Sequence, residues 1–251
     1  MQRLALFDLD HTLLDGDSDQ LWIDFLLAEG LLERAAFDAR NQEMARGYQA
    51  GTVDVRAFCE FYIGTLTLMP RAAWQPLRER FLAEWIVPRL AAQGIAQVRA
   101  HAAAGDLVVL TTATNRFITE LTARQLGIGH LIATETEMLD QGKHFSGKAE
   151  GVLNMRAGKV ERLHAWLAGR GLELAACDST AYSDSMNDLP LLDAVRTPVA
   201  AQPDARLRAL ATERGWKIVD WFRGSAKSDR DPQRICQTAS TRSPARAAAS
   251  R

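Results

Sequence analysis

The chain has 251 residues, 47% hydrophobic and 24% charged, ordinary values for a globular protein with one large domain, or a core domain plus an insertion. Thirty Lys and Arg against 31 Asp and Glu leave a net charge of −1, so no global basic field points to nucleic acid or to an anionic membrane surface. No apolar run approaches the ~20 residues of a membrane span. The opening Met-Gln-Arg-Leu-Ala-Leu-Phe-Asp-Leu-Asp meets two carboxylates too soon for a signal peptide. Cys59, Cys177 and Cys236 are too scattered for a disulfide framework or a thiolate zinc cluster, and they fit a reducing, cytoplasmic setting.

Residues 3–7 read as a short apolar strand halted by Asp8. From residue 18 to about 104 only helical spacing follows: Leu21/Phe25 and Trp22/Leu26, then Val55, Phe58, Cys59, Tyr62 and Leu66, then Trp74, Leu77, Phe81 and Trp85. Thr52-Val53-Asp54 and Met69-Pro70 read as helix starts, and Gly30, Gly51 and Gly105 as stops. The aromatic stripes are expected to form the core of a helical insertion rather than a cofactor box. A second strand at 107–110 leads into polar Thr111-Thr112, and a helix is expected over 118–126. A weaker strand at 131–133 comes next, then a hairpin across 138–145 turning at Asp140-Gln141-Gly142. A helix over 160–167, a strand around Ala181-Tyr182 ending at Asp184, a helix over 189–195 and a strand at 198–200 complete the series.

Strands separated by helices predict an α/β fold with a doubly wound, Rossmann-like parallel sheet, on which the all-α insertion forms a cap. Residues 224–251 are rich in Ser, Ala, Arg and Thr, with Ile235 the one large aliphatic residue and six Lys/Arg against two Asp. They are expected to be a disordered basic tail. The expected division is a core of residues 1–16 and 105–223, a cap of 17–104 and a tail of 224–251.

Asp8 and Asp10 fall at the carboxyl end of the first strand, where doubly wound sheets bind ligands. With a divalent cation, two such carboxylates can divide the work, one as metal ligand and nucleophile and the other as proton carrier. Asp-x-Asp also occurs in plain turns and helix caps. Thr112, followed by Ala113, sets a hydroxyl and main-chain N–H groups at the top of the next strand, suited to a phosphate oxygen or equally to capping a helix. Lys159 opens an amphipathic helix, where the dipole disfavours a cation unless an anion compensates. A solvated surface lysine is the plain alternative, and Lys148 is a competing candidate. Asp184 and Asp188 end another strand four residues apart, on one side of the turn into a helix. Asp184 is placed to complete an oxygen-rich Mg²⁺ shell with Asp8. Asp178-Ser179 is set aside because it is expected to precede that strand.

Taken in order, Asp8-x-Asp10-x-Thr12, Thr112, Lys159 and Asp184-x-x-x-Asp188 resemble the haloacid dehalogenase superfamily of aspartate-nucleophile phosphatases, over residues 1 to about 222. The helical insertion after the first motif, with Phe-Asp-Leu-Asp-x-Thr-Leu and Asp-Ser-x-x-Asp-Leu-Pro, is similar to the phosphoserine phosphatase branch. The resemblance implies a Mg²⁺-dependent phosphomonoesterase for a small phosphorylated metabolite, with neither nucleic acid nor membrane as partner. It implies that Asp8 attacks phosphorus and becomes an aspartyl phosphate. Asp10 would protonate the leaving alkoxide and then activate water, its backbone carbonyl binding Mg²⁺. Thr112, Ala113 and Lys159 would hold phosphate oxygens, Asp8 and Asp184 would bind the metal, and Asp188 would support that shell. Asp10 favours phosphoryl transfer over dehalogenation.

In that branch an acid nine positions after the nucleophile contacts the substrate amine. Here it is Asp17, which is equally an N-cap for a helix from Ser18. The branch's carboxylate-clamping arginine is missing from 58–68. The resemblance therefore implies a phosphorylated amine such as histidinol phosphate in preference to phosphoserine, unless Arg46 or Arg71 reaches the pocket. Ser183 stands where the family usually has glycine. Two other readings stay open. A phosphotransferase or mutase would use the same motifs with a substrate hydroxyl in place of water. A receiver module would be phosphorylated without turnover, against which stand Asp10 and the helical insertion.

Overall fold

Strand β1 (Gln2–Phe7) is buried on both faces from Leu4 to Phe7, as an unbroken apolar run requires of a central strand in a parallel sheet. The structure, a computed structural model, describes residues 1–49 and 54–222. After β1 come α1 (Ser18–Ala28), α2 (Arg34–Gln49) and α3 (Val55–Ile63), then 3₁₀ turns at Gly64–Leu68 and Arg71–Trp74. The segment continues with α4 (Gln75–Phe81), a π turn (Leu82–Ile86), a further 3₁₀ turn (Val87–Arg89) and α5 (Ala92–Ala103). Among the described residues, the stretch between β1 and α5 holds no strand apart from two isolated bridges, Asp10–Leu14 and Leu14–Leu90. Then follow β2 (Leu107–Asn115), α6 (Arg116–Gln125), β3 (His130–Leu139), β4 (His144–Glu150), α7 (Ala157–Ala168) and β5 (Cys177–Ser183). The chain proceeds through α8 (Leu189–Ala194), β6 (Thr197–Ala201), α9 (Ala205–Glu213) and β7 (Lys217–Val219).

The strands form one sheet in the order β4-β3-β2-β1-β5-β6-β7, parallel throughout except for the β3–β4 pair. The expected hairpin is that pair. Its turn takes Asp140, Gln141 and Gly142 through positive φ, at 50°, 57° and 86°. Strand β3 is far longer than the 131–133 core, because its second half runs past β2 to pair with β4. Asp178 and Ser179 do not precede the strand but lie inside β5, where the Ser179 hydroxyl accepts from Arg196 N at 3.1 Å. Helix α9 and strand β7 were not expected from the sequence. The expected tail, with Thr52, Val53 and Gly51, lies outside the described residues.

The helical segment has its own apolar centre, as its stripes require. Trp22, Phe25, Trp74 and Phe81 are all but inaccessible, and the Trp22 ring sits 5.4 Å from Trp74 and 5.0 Å from Phe81. The two indoles also find acceptors, Thr65 Oγ1 for Trp22 and Leu66 O for Trp74, so no polar handle is stranded in the aromatic core. The segment and the sheet belong to one compact unit, Met1–Trp221. Strand β4, the sheet's outer strand, is covered by α3. The Arg56 guanidinium donates to Ala149 O and Gly151 O, and Glu60 accepts from Ala149 N, which satisfies edge groups that would otherwise face solvent.

Candidate active site at the switch point of the sheet

The chain runs outward from β1 through β2 and β3, then returns to the other side of β1 as β5. That reversal opens a crevice at the carboxyl ends of β1 and β5, the usual place for a ligand in such sheets. The register pairs Phe7 with Tyr182, and Asp8 N donates to Tyr182 O at 3.0 Å. Asp8 and Asp184 therefore leave the sheet side by side. The Thr12 hydroxyl lies 3.1 Å from Asp8 Oδ2 and 3.3 Å from Asp184 Oδ1, so a single small group spans both carboxylates.

Lys159 reaches the same point from the first turn of α7. Its Nζ donates to Asp8 Oδ1 at 2.7 Å and to Asp188 Oδ2 at 2.6 Å, and the lysine is 2% exposed. It is not a surface lysine; exposed Lys148, on β4, is. Burial works against its charge, but Asp188 and Asp8 more than offset that and raise its pKa. Asp188 also accepts from the Ser183 hydroxyl at 2.8 Å, so the residue standing where the family has glycine helps to orient it. The Asp188 carboxylate thus engages Lys159 and Ser183.

Asp10 is held from three directions. Its Oδ1 accepts from Ser18 N at 2.7 Å, and its Oδ2 from the hydroxyls of Thr114 and Thr112 at 3.0 and 3.3 Å. Thr112 sits where the β2–β3 register slips between Thr112 and Asn115, taking Ala113 and Thr114 out of step with β3. Buried Asn154 pins this strand end, its amide donating to Thr111 Oγ1, Thr112 O and Ile132 O. Nothing in the sequence pattern singled out Asn154.

Asp17 caps α1, its Oδ1 accepting from Gln20 N at 3.0 Å. Burial and the nearby Asp10 carboxylate nonetheless raise its pKa to about 6. Asp19, overlooked in the sequence, lies beside it. Its Oδ2 accepts from Thr114 at 3.4 Å, while its Oδ1 is buried without a partner. Burial, with Asp17 and Asp10 adding, raises its pKa well above the usual range. Arg46 and Arg71 are exposed, and no ion pair joins either to these acids among the described residues.

Four carboxylates, Asp8, Asp10, Asp184 and Asp188, thus gather at one crevice with a single ammonium, which bonds to Asp8 and Asp188. Burial raises Asp8 to about 7, with Lys159 pulling down and Asp188 and Asp10 pushing up. Burial, then Asp8 and Asp188, raises Asp184 to about 8. This excess of buried negative charge fits a hard cation. Among the described residues no three His, Cys, Asp or Glu side chains converge as a ready cage. Two carboxylates and a main-chain carbonyl would leave the remaining positions to water and substrate, a donor set that suits Mg²⁺.

A strand-end acid pair, a strand-end hydroxyl, a buried lysine and a second acid pair around one crevice define an α/β hydrolase built for phosphoryl groups. The chain belongs to the haloacid dehalogenase-like hydrolase family, which it matches over residues 5–193. Within that family it stands among phosphatases. It is 37% identical to a histidinol-phosphatase of Neisseria meningitidis serogroup C (strain 8013), across 88% of this chain and 100% of the relative. It is 34% identical to phosphoserine phosphatase SerB1 of Mycobacterium tuberculosis (strain ATCC 25618 / H37Rv), across 90% and 73%. A solved structure of a protein of unknown function from Bordetella pertussis Tohama I superposes with a TM-score of 0.85 at 45% identity, covering 88% of this chain and 100% of that one. Among the described residues no helix is long and apolar enough to cross a membrane.

Proposed function

We propose that this chain is a cytoplasmic, Mg²⁺-dependent phosphomonoesterase that works through an aspartyl phosphate on Asp8, with residues 17–104 closing over the site as a cap. The observation that carries the reading is the placement of Asp8. Lys159 holds one of its oxygens, and Thr12 ties the other to Asp184. Asp8, Asp184 and the Asp10 carbonyl would hold a Mg²⁺ ion, which would supply positive charge to the phosphoryl oxygens and the nucleophile.

The chain's own groups account for the rest. An Asp8 oxygen bonds to phosphorus as the ester oxygen leaves, and Asp10 gives that oxygen its proton. Thr112, the Ala113 N–H and Lys159 take the phosphoryl oxygens in the transition state. Water then attacks the aspartyl phosphate, Asp10 accepts its proton, and inorganic phosphate departs with Asp8 restored. Asp10 suits this shuttle because Ser18, Thr112 and Thr114 fix both of its oxygens at the crevice.

The favoured substrate class is a small phosphorylated amine, with histidinol phosphate the leading member. Support comes from Asp17 and Asp19, two crowded acids next to Asp10, and from the relative named histidinol-phosphatase. A carboxylate-bearing substrate would meet these acids, with which no arginine pairs among the described residues, and an unpaired buried charge costs several kcal/mol. The test is phosphate release with Mg²⁺ from histidinol phosphate, phosphoserine and an alkyl phosphate, for wild type, Asp8→Asn and Asp17→Asn. Asp8→Asn should abolish release from all three. Asp17→Asn keeps a capping side chain but removes a charge, so it should lower kcat/KM roughly 10–150-fold for the amine alone. Full activity of Asp8→Asn defeats the mechanism, and a higher kcat/KM for phosphoserine defeats the substrate reading.

A further inference from the structure

The helical segment and the β3–β4 hairpin face each other across a cleft of about 560 Å³. Arg71, Gln75 and Arg78 line one side, Lys143 and His144 the other, and Phe117 lies between them. None of Asp8, Asp10, Thr112, Lys159 or Asp184 borders it, and no acid does. At the cleft a main-chain bond joins the two sides, Arg71 N to Lys143 O at 2.9 Å, and farther along β4 the contacts of Arg56 and Glu60 join them too.

Arg78 is the unusual member. It is 7% exposed, and its guanidinium carbon lies 4.0 Å from the centroid of Phe117. Its hydrogen bonds are long, 3.4 Å to Glu120 Oε2 and 3.3 Å to Gln75 Oε1. Glu120 is shared, since Arg124 holds its other oxygen at 2.6 Å. The Arg78 Nε is buried without any partner. A desolvated guanidinium with an unused donor is costly unless an acceptor arrives. Burial lowers the Arg78 pKa, Glu120 opposes this only in part, and the neighbouring charges of Arg71 and Arg124 add to the depression. His144 has an acidic neighbour, exposed Asp140 at 3.0 Å. Among the described residues no ion pair engages Arg71 or Lys143.

We propose that this cleft is a second binding site, separate from the Asp8 crevice, for a small polyanion carrying carboxylate or phosphate groups. An oxyanion entering the cleft would supplement the two long hydrogen bonds of Arg78, whose guanidinium is already held 4.0 Å from the centre of the Phe117 ring and loses little freedom on binding. Arg71 and Lys143 stand at the rim for further negative charge. Three permanent cations with one shared carboxylate between them call for at least two ligand charges, which is why a polyanion fits better than a single carboxylate. Because its cations come from both the helical segment and the hairpin, the bound anion would tie these two elements together.

Citrate and pyrophosphate are the probes, each titrated calorimetrically into the metal-free protein at constant ionic strength. Wild type should bind at least one of them at a single saturable site, and whichever binds more tightly tells carboxylate from phosphate. Arg71→Ala/Lys143→Ala changes only exposed side chains, so it should fold normally. It should lose at least ~10-fold in affinity, as expected for two charge-assisted contacts, while kcat and KM for an aryl phosphate stay within about twofold. Arg78→Met should lose binding altogether; the double variant carries the test if Arg78→Met fails to fold. Three results would overturn the proposal: no saturable binding, equal affinity in wild type and the double variant, or competition between the tighter anion and the phosphate substrate.

Discussion

At the scale of single residues, the site rests on how few groups are left unconstrained. Asp10 differs from Asp8 in its company: three donors and no lysine, against one hydroxyl and the Lys159 ammonium. In the proposed mechanism, a group fixed by neutral donors can pass a proton without breaking an ion pair, while Asp8 would serve as the nucleophile. Asp10→Asn retains the shape and an acceptor for Ser18 N, so folding should be unaffected. With the proton carrier gone, kcat for an alkyl phosphate should fall ~10²–10⁴-fold. An aryl phosphate, whose leaving group departs without help, should lose much less in its first step. Equal losses for both substrates would remove Asp10 from the proton-transfer role. The acids of this site were legible because each ends a strand or opens a helix. Asp19 was not, since an acid in a first helical turn reads as an ordinary favourable charge, and its crowding by Asp17 and Asp10 exists only in three dimensions.

Among elements, the start of α7 shows how the backbone delivers a side chain. Gly158 precedes Lys159, and a Cβ there would come within 2.1 Å of Leu153 O. The loop can turn into the helix only if this position stays bare, and that close approach sets the Lys159 Nζ between Asp8 and Asp188. Gly158→Ala should therefore cost about 1–3 kcal/mol, as overpacking does, and should lower kcat as Lys159 shifts. Gly169→Ala at the other end of the helix is the control. Its added methyl would meet Ala165 O at 3.6 Å, an ordinary contact at ordinary φ, so stability should hold or rise slightly. Matching denaturant midpoints for the two variants would show that the approach at Gly158 is relieved cheaply. The sequence showed a lysine at a helix start but not why glycine precedes it. Helix α7 and strand β1 were readable because their apolar spacing is regular, with Leu163 and Leu167 buried on one side of the helix and Leu4–Phe7 all buried in the strand. The outer half of β3, with β4 and β7, was harder, since edge and extension strands alternate with polar residues and owe their pairing to distant partners. Asn154 carries no periodic signal at all; its three acceptors come from two strands that meet only in the fold.

Across the whole molecule, a near-neutral chain concentrates negative charge in one crevice, and this makes stability depend on pH and metal together. Unfolded, Asp8 and Asp184 would titrate near 3.8; folded and without metal, burial and mutual repulsion place them at about 7 and about 8. The folded state then holds protons that the unfolded chain has already released. Stability must therefore decrease as pH rises through this interval, the reverse of an acid stabilised by a salt bridge. His130, lowered by burial and by Arg170, acts in the opposite sense, but only below its ordinary value of 6.5. Between pH 6.5 and 8 the acids dominate. In the presence of a chelator, Tm should fall steadily over that range. Adding Mg²⁺ should raise Tm and flatten the slope, because a cation between Asp8 and Asp184 does the work of the missing protons and keeps both ionised. Mg²⁺ should also have little effect on Asp8→Asn, which lacks one of the two charges that bind it. A Tm that climbs with pH in chelator, or an identical slope with and without Mg²⁺, would mean that the crowding of these carboxylates is relieved by something other than a divalent ion.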